Sequence, residues 1–283
     1  ADNVTINAID LIDNNVANPA TMEYGYGLFK WNNNDGVKNT VISNCSITLN
    51  RINNSSAGVV MPVGSNGIVM MNVTANNAQA FLVPTDVKGS NSKNKFYSNN
   101  ISNCNNGIAI VGYSPSLSPF NYVDSANDIG GASPVTGNYI LNFGGGGTNL
   151  STGILLQSQW NANVGFNTLN SNNGAGIDHP GLLAGIYAIG FASGSTAGIT
   201  ISNNNITVKG GGLTQSVYGI YNGFNSSGNS VVSITNNSIT GNYTTSLAGQ
   251  LSGIMNNCTA GTLTITGNTV QNCTLTGSGT GRF

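Results

Sequence analysis

The chain repeats one short string built around asparagine. Ile199–Ile206 reads ITISNNNI, Val232–Ile239 reads VSITNNSI and Leu263–Val270 reads LTITGNTV. Earlier copies are Ser133–Ile140, Ala162–Leu169, Asn94–Ile101, Thr40–Ile47 and Asp2–Ile9. An internal repeat constrains the architecture before any other argument, because each copy must pack on its neighbours rather than into a separate core. Aligning the sixth position gives Asn7, Cys45, Asn99, Asn138, Asn167, Asn204, Asn237 and Asn268. The later steps are 39, 29, 37, 33 and 31 residues. The 54-residue step from Cys45 to Asn99 has room for two turns, with a degraded copy at Met71–Val73 between them. A second string, Gly followed by a large apolar residue, alternates with the first, as at Gly107, Gly153, Gly185, Gly219 and Gly253.

Each copy reads as a strand. Ile199 and Ile201 flank the polar Thr200, a two-residue alternation rich in β-branched side chains. No window carries a helical apolar stripe. Short strands and a period near thirty residues predict an all-β, coiled parallel sheet: a β-solenoid of about nine coils, each of roughly 27–46 residues, forming one domain over residues 1–283. The corners between strands need backbone with positive φ, which Gly and Asn tolerate best. Amides repeated at one position can stack at about 4.8 Å and bond in a ladder. Asn7, Asn99, Asn138, Asn167, Asn204, Asn237 and Asn268 are the expected structural ladder.

These strings resemble the right-handed parallel β-helix superfamily, which includes pectate-lyase-like enzymes, NosD-like repeat proteins, phage tailspikes and secreted bacterial surface proteins. The resemblance covers nearly the whole chain. It implies the fold and the right-handed coil but no activity, because this fold carries many functions. The lyases and glycosidases of the superfamily set Asp, Lys and Arg on one sheet face. Here the strand strings carry almost no acids, and Arg51 and Arg282 are the only arginines. No catalytic residue is carried over.

Charged residues make up 6% of the chain and the net charge is −1, so no basic footprint for nucleic acid is present. No stretch is long and apolar enough to span a membrane as a helix. The chain begins at Ala1, as a processed or excised segment would, and both ends fall inside repeats. Uncapped solenoid ends are sheet edges that invite stacking. The expected partners are therefore a second copy end to end, flanking domains of a longer chain, or surface glycans.

Four departures from the repeat are candidate sites. The segment Val111–Thr136 reads as an inserted loop, carrying Tyr113, Phe120, Tyr122, Asp124 and Asp128. Its rings suit sugar stacking. Asp124 and Asp128 with Asn121 and Asn127 offer oxygen ligands of the kind calcium takes, although no EF-hand spacing is present. No other cofactor and no transition-metal site is implied, since the four cysteines lack zinc spacing. They read as small column residues, with a Cys258–Cys273 disulfide as the alternative. Trp31 and Trp160 are the only indoles, and Trp31 lies among Glu23, Lys30, Asp35 and Lys38, charges read as solvated. His179, the only histidine, reads as an exposed loop residue beside Asp178.

The expected function is an extracellular or cell-surface structural or adhesive module. The alternative is a carbohydrate-active β-helix, a polysaccharide lyase or glycosidase, or a glycan-binding module. An ice-binding face is disfavoured because the threonines do not form a regular array.

Overall fold

The computed structural model describes residues 2–14, 24–51, 62, 64–78, 80–113, 122–192, 198–226, 230–245 and 247–277. These residues fold into three long parallel sheets that run along one axis, with a two-stranded parallel sheet of Asp124–Ser125 and Gln159–Trp160 beside them. The first sheet stacks eight strands, from Thr5–Asn7 and Val41–Ser43 through Gly198–Ser202 to Thr262–Thr266. The second follows it around each coil, from Asp10–Ile12 and Ser46–Thr48 to Thr269–Val270. The third stacks seven strands: Tyr24–Lys30, Asn66–Thr74, Asn106–Val111, Ser151–Gln157, Leu183–Ala192, Val217–Ser226 and Leu251–Asn256. This is a β-solenoid architecture. At about 4.8 Å per layer, eight layers make a rod about 34 Å long.

The core consists of columns in strict register. Ile42, Phe96, Ile129, Val164, Ile201 and Ile234 stack in the first sheet. Ile47, Ile101, Ile140, Leu169, Ile206 and Ile239 stack in the second. Ile68, Ile108, Ile154, Ile186 and Ile220 stack in the third. All are buried, and each contributes roughly 1.5–3 kcal/mol of apolar burial.

The repeated string divides its labour between two adjacent positions. In five coils the residue before the ladder takes left-handed backbone, Asn44, Ser98, Phe166, Asn203 and Asn236 having φ between 54° and 59°, whereas Gly137 before Asn138 is extended at −62°. The ladder asparagine then points inside. Its backbone N–H and Nδ2 both donate to Oδ1 of the next asparagine along the rod, at 3.1 and 2.8 Å from Asn138 to Asn167 and at 2.9 and 3.0 Å from Asn167 to Asn204. The remaining Nδ2 proton reaches a carbonyl of the preceding coil, Phe96 O for Asn138 and Ile129 O for Asn167. Every amide therefore satisfies its neighbour, which is what allows a polar column inside an apolar rod.

The Gly strings are explained by steric crowding. A Cβ on Gly185 would stand 2.4 Å from Ile206 Cγ2 and 2.7 Å from Gly219 O. Gly107 and Gly219 meet Ile140 and Ile239 in the same way. The second sheet's core column rests directly on the glycine backbone of the third, so any side chain there would force the sheets apart.

Several expectations are corrected. Asn7 is exposed and pairs with Ser43, so it stands two residues before the ladder position, which Ile9 fills after a left-handed Ala8. A two-residue slip leaves the in–out alternation unchanged, so the pattern alone could not detect it. The 54-residue step is one layer: Val41–Ser43 pairs directly with Lys95–Tyr97, and Met71–Val73 belongs to the third sheet. Of the segment Val111–Thr136, the described residues 122–136 carry strands Asp124–Ser125 and Asp128–Ile129 and a 3-10 turn at Pro134–Thr136.

Candidate functional site

Six of the seven predicted binding residues lie among the described residues, in differing surroundings. Phe120 lies outside the described residues. Tyr113 and Tyr122 are half-buried. Asp128 is used structurally: Tyr97 Oη donates to its Oδ2 at 2.5 Å, and Gly131 N and Asn163 Nδ2 donate to its Oδ1 at 3.1 and 2.8 Å. Trp160 is half-buried against the core, with Nε1 buried and unpartnered. Trp31 projects into solvent, 77% exposed, in the turn after Tyr24–Lys30. Among the described residues no cluster of three or more His, Cys, Asp or Glu side chains exists, and Asp124 points inward, so the pairing of Asp124 with Asp128 does not make an open calcium cradle. All four cysteines are free.

Asp124 is the largest departure. It is fully buried at the corner where the third sheet turns into the first. The corner carries a second, mixed ladder. Val37 N donates to Asn91 Oδ1 at 2.9 Å, and Asn91 N donates to Asp124 Oδ1 at 2.7 Å. Asp124 pairs in register with Gln159, and Asn127 Nδ2 donates to Gln159 Oε1 at 2.8 Å. Asn72 Nδ2 donates to Asp124 Oδ2 at 3.1 Å and to Val111 O at 3.2 Å.

Lys30 joins this corner from the first coil. It was expected in water, yet it is 3% exposed, because the alternation that buries Leu28 turns Lys30 to the same side. Its Nζ is buried without a hydrogen-bond partner, as is Asn72 Oδ1. Burial pushes the Lys30 amine down to about 8, opposed by the charge of Asp124. Burial pushes the Asp124 carboxyl up to about 6, opposed by Lys30 and by the bonds from Asn91 and Asn72. Asp124 sits where the neighbouring coils place the amides Asn91 and Gln159, and Lys30 pairs in register with Thr74 across a bulge. A local signal existed: Lys30 and Asp124 are charges at inward positions of an otherwise neutral repeat.

His179 is also buried, not exposed in a loop. Gly145 N donates to Nδ1 at 2.9 Å, which makes Nε2 the protonated nitrogen facing Asn149 O at 2.7 Å. Desolvation lowers its pKa. The neutral ring ties neighbouring coils together and has no open face for acid–base chemistry.

The outer face of the third sheet carries a feature that the sequence reading missed. Leu155, Tyr187, Tyr221 and Met255 form one outward column. The rings of Tyr187 and Tyr221 stack at 4.6 Å and 15°, and Tyr218 leans on Tyr221 at 5.1 Å. The signal was the recurrence of Gly-Ile-Tyr at Gly185 and Gly219. Because the ring faces are turned to one another along the rod, the surface offers ring edges and hydroxyls instead of a flat sugar platform.

The two ends of the rod differ from its middle. Ile265 and Val270, the last members of the first and second core columns, are 41% and 50% exposed, whereas their register partners Ile234 and Ile239 are buried. At the other end a hollow of about 220 Å³ opens between Val4, Ile6, Leu28 and Val37. No family model, no curated protein and no solved structure matches this chain.

Proposed function

We propose that this chain is a structural module of an extracellular or cell-surface protein: a right-handed parallel β-helix, akin to the pectate-lyase-like superfamily, that works as a stiff rod and extends by stacking its ends. The observation that carries this reading is the half-exposed end of the core columns at Ile265 and Val270. An apolar column ending in water, beside strand edges that pair on one side only among the described residues, is the surface a further parallel layer would cover. That layer comes from a second copy; a coil of a flanking domain is the other source of the same chemistry.

Sedimentation velocity and electron microscopy over a concentration series test it. Concentration-dependent rods or filaments that Ile265→Lys abolishes are the expected result. A monomer at every concentration, unchanged by Ile265→Lys, removes self-stacking. A longer natural chain whose adjoining coil covers Ile265 would point to the flanking-domain version.

A glycan-binding reading rests on one feature, the exposed indole of Trp31 beside Asn32 and Asn34. A ring face in water is where a sugar stacks. Binding to a glycan panel that Trp31→Ala eliminates would support it, and an unreactive panel would remove it.

A further inference from the structure

The two end layers of the rod carry opposite features. Between Lys209 and Arg282 the sequence has no Asp, Glu, Lys or Arg, so the strands Val231–Thr235, Leu251–Asn256, Thr262–Thr266 and Thr269–Val270 are neutral. The first layer is acidic. Asp10 opens its strand in the second sheet and is exposed, Asp2 is exposed, and Asp13 is half-buried. Charged side chains on an edge strand guard it against pairing with another chain. One end of the rod is guarded in this way and the other is not.

The unguarded end also has a direction. Asn268 Oδ1 accepts from Asn237 N and Nδ2 at 2.9 and 2.8 Å, and Asn256 Oδ1 accepts from Asn222 Nδ2 at 2.7 Å. Both amide rows therefore run with their donors toward this end. Leu263 and Ile265, inward positions of the last strand of the first sheet, are each 41% exposed. At the opposite end Val4 and Ile6 hold the same two inward positions, and with Leu28 and Val37 they line the hollow of about 220 Å³. Apolar side chains stand uncovered at one end, and a hollow opens in the same part of the coil at the other.

We propose that copies of this chain join head to tail in the register of the internal layers, Leu263 and Ile265 of one copy entering the hollow between Val4 and Ile6 of the next, and that Ile9 and Leu28 make this joint the weakest layer of the rod. It rests on the reading of the chain as a self-stacking rod and adds the joint's direction, register and strength. Two acidic first layers repel each other, which opposes a head-to-head joint. A tail-to-tail joint turns the donors of both amide rows on one another and sets strands antiparallel where the layers pair parallel. Head to tail, Ile265 covers Ile6 and Val270 covers Leu11, which continues the first two core columns. The match stops at two positions. Ile9 stands at the ladder position of the first coil, and Leu28 heads the column that ends in Asn222 and Asn256. Neither offers an Oδ1 to Asn268 or Asn256. The joint gains apolar burial without the ladder bonds, so it separates while the internal layers hold.

Disulfide capture and sedimentation velocity test it. Thr5 and Thr264 belong to one outward column, so across a head-to-tail joint their Cα atoms lie about 4.8 Å apart, within disulfide reach. The oxidised double variant Thr5→Cys/Thr264→Cys is expected to give a covalent series of dimer, trimer and longer species on non-reducing gels, with mass spectrometry joining the peptides that carry positions 5 and 264. Each single variant is expected to match the wild-type chain. Ile9 is 49% exposed, and Ile9→Asn supplies the missing acceptor. It is expected to tighten association about tenfold, the effect of two added hydrogen bonds. A covalent dimer from Thr264→Cys alone, with nothing longer from the double variant, overturns the proposal in favour of a tail-to-tail joint. Rods that the double variant does not capture and Ile9→Asn does not strengthen overturn the direction and register while self-stacking stands. Capture without strengthening overturns the role given to Ile9. A monomer at every concentration, with no covalent series, removes the joint and self-stacking together. If Ile9→Asn does not fold, capture by the double variant still decides the direction.

Discussion

The rod has two polar corners, and they bury their polar groups in different ways. Between the first and second sheets, Asn99, Asn138, Asn167, Asn204 and Asn237 form a neutral ladder in which each amide is both donor and acceptor. Between the third and first sheets, the first three coils place Lys30, Asn72 and Asp124, with two buried polar atoms unpartnered and two strongly shifted pKa values. A repeat can hold polar side chains inside when every coil contributes the same group, because each layer supplies the partner of the next. Charged and orphaned groups are tolerated only locally, where a solenoid departs from its period, and such departures are where chemistry concentrates.

The comparison can be broken first at the middle of the neutral ladder. Asn167→Ala removes Nδ2 bonds to Asn204 Oδ1 and Ile129 O and strands the N–H and one Nδ2 proton of Asn138. A loss of about 3–5 kcal/mol is expected in chemical denaturation, since several buried groups lose partners together. His179→Ala, which strands Gly145 N and removes the bond to Asn149 O, is expected to cost about 2–3 kcal/mol by the same measurement.

The charged corner is sharpened by pH. Asp124 is raised from 3.8 to about 6, so between those values the folded chain holds a proton that the unfolded chain has released. Its contribution to stability therefore falls as pH rises through that window. Asp124→Asn is expected to flatten this slope in thermal melts. His179 acts in the opposite sense: its folded pKa lies below 6.5, so stability is lost as pH falls below that value. The smallest effect is expected at the ladder's end. Asn268 is only half-buried, and Asn268→Ala should cost about 1 kcal/mol, the gap from Asn167→Ala measuring what burial adds. Equal losses at the two positions would mean that the ladder is not governed by burial.

The sequence by itself determined the architecture. Two-residue alternation, the asparagine string and the Gly-apolar string are local signals repeated often enough to define a stacked parallel coil, and Asn99 through Asn268 were legible as one column. The tertiary structure decided which periodic matches were true layers and which charges faced inward. Asn7 and Ile9 differ by two residues, so both satisfy the alternation, and only pairing with Val41–Ser43 separates them. The 54-residue step became a single layer because long excursions cost a solenoid little once its strands re-enter in register. Lys30, Asn72 and Asp124 lie up to 94 residues apart in sequence and meet only because three successive coils turn the same corner. Local pattern specifies a strand's two faces, but which distant residues share an interior corner is fixed only when the coils stack.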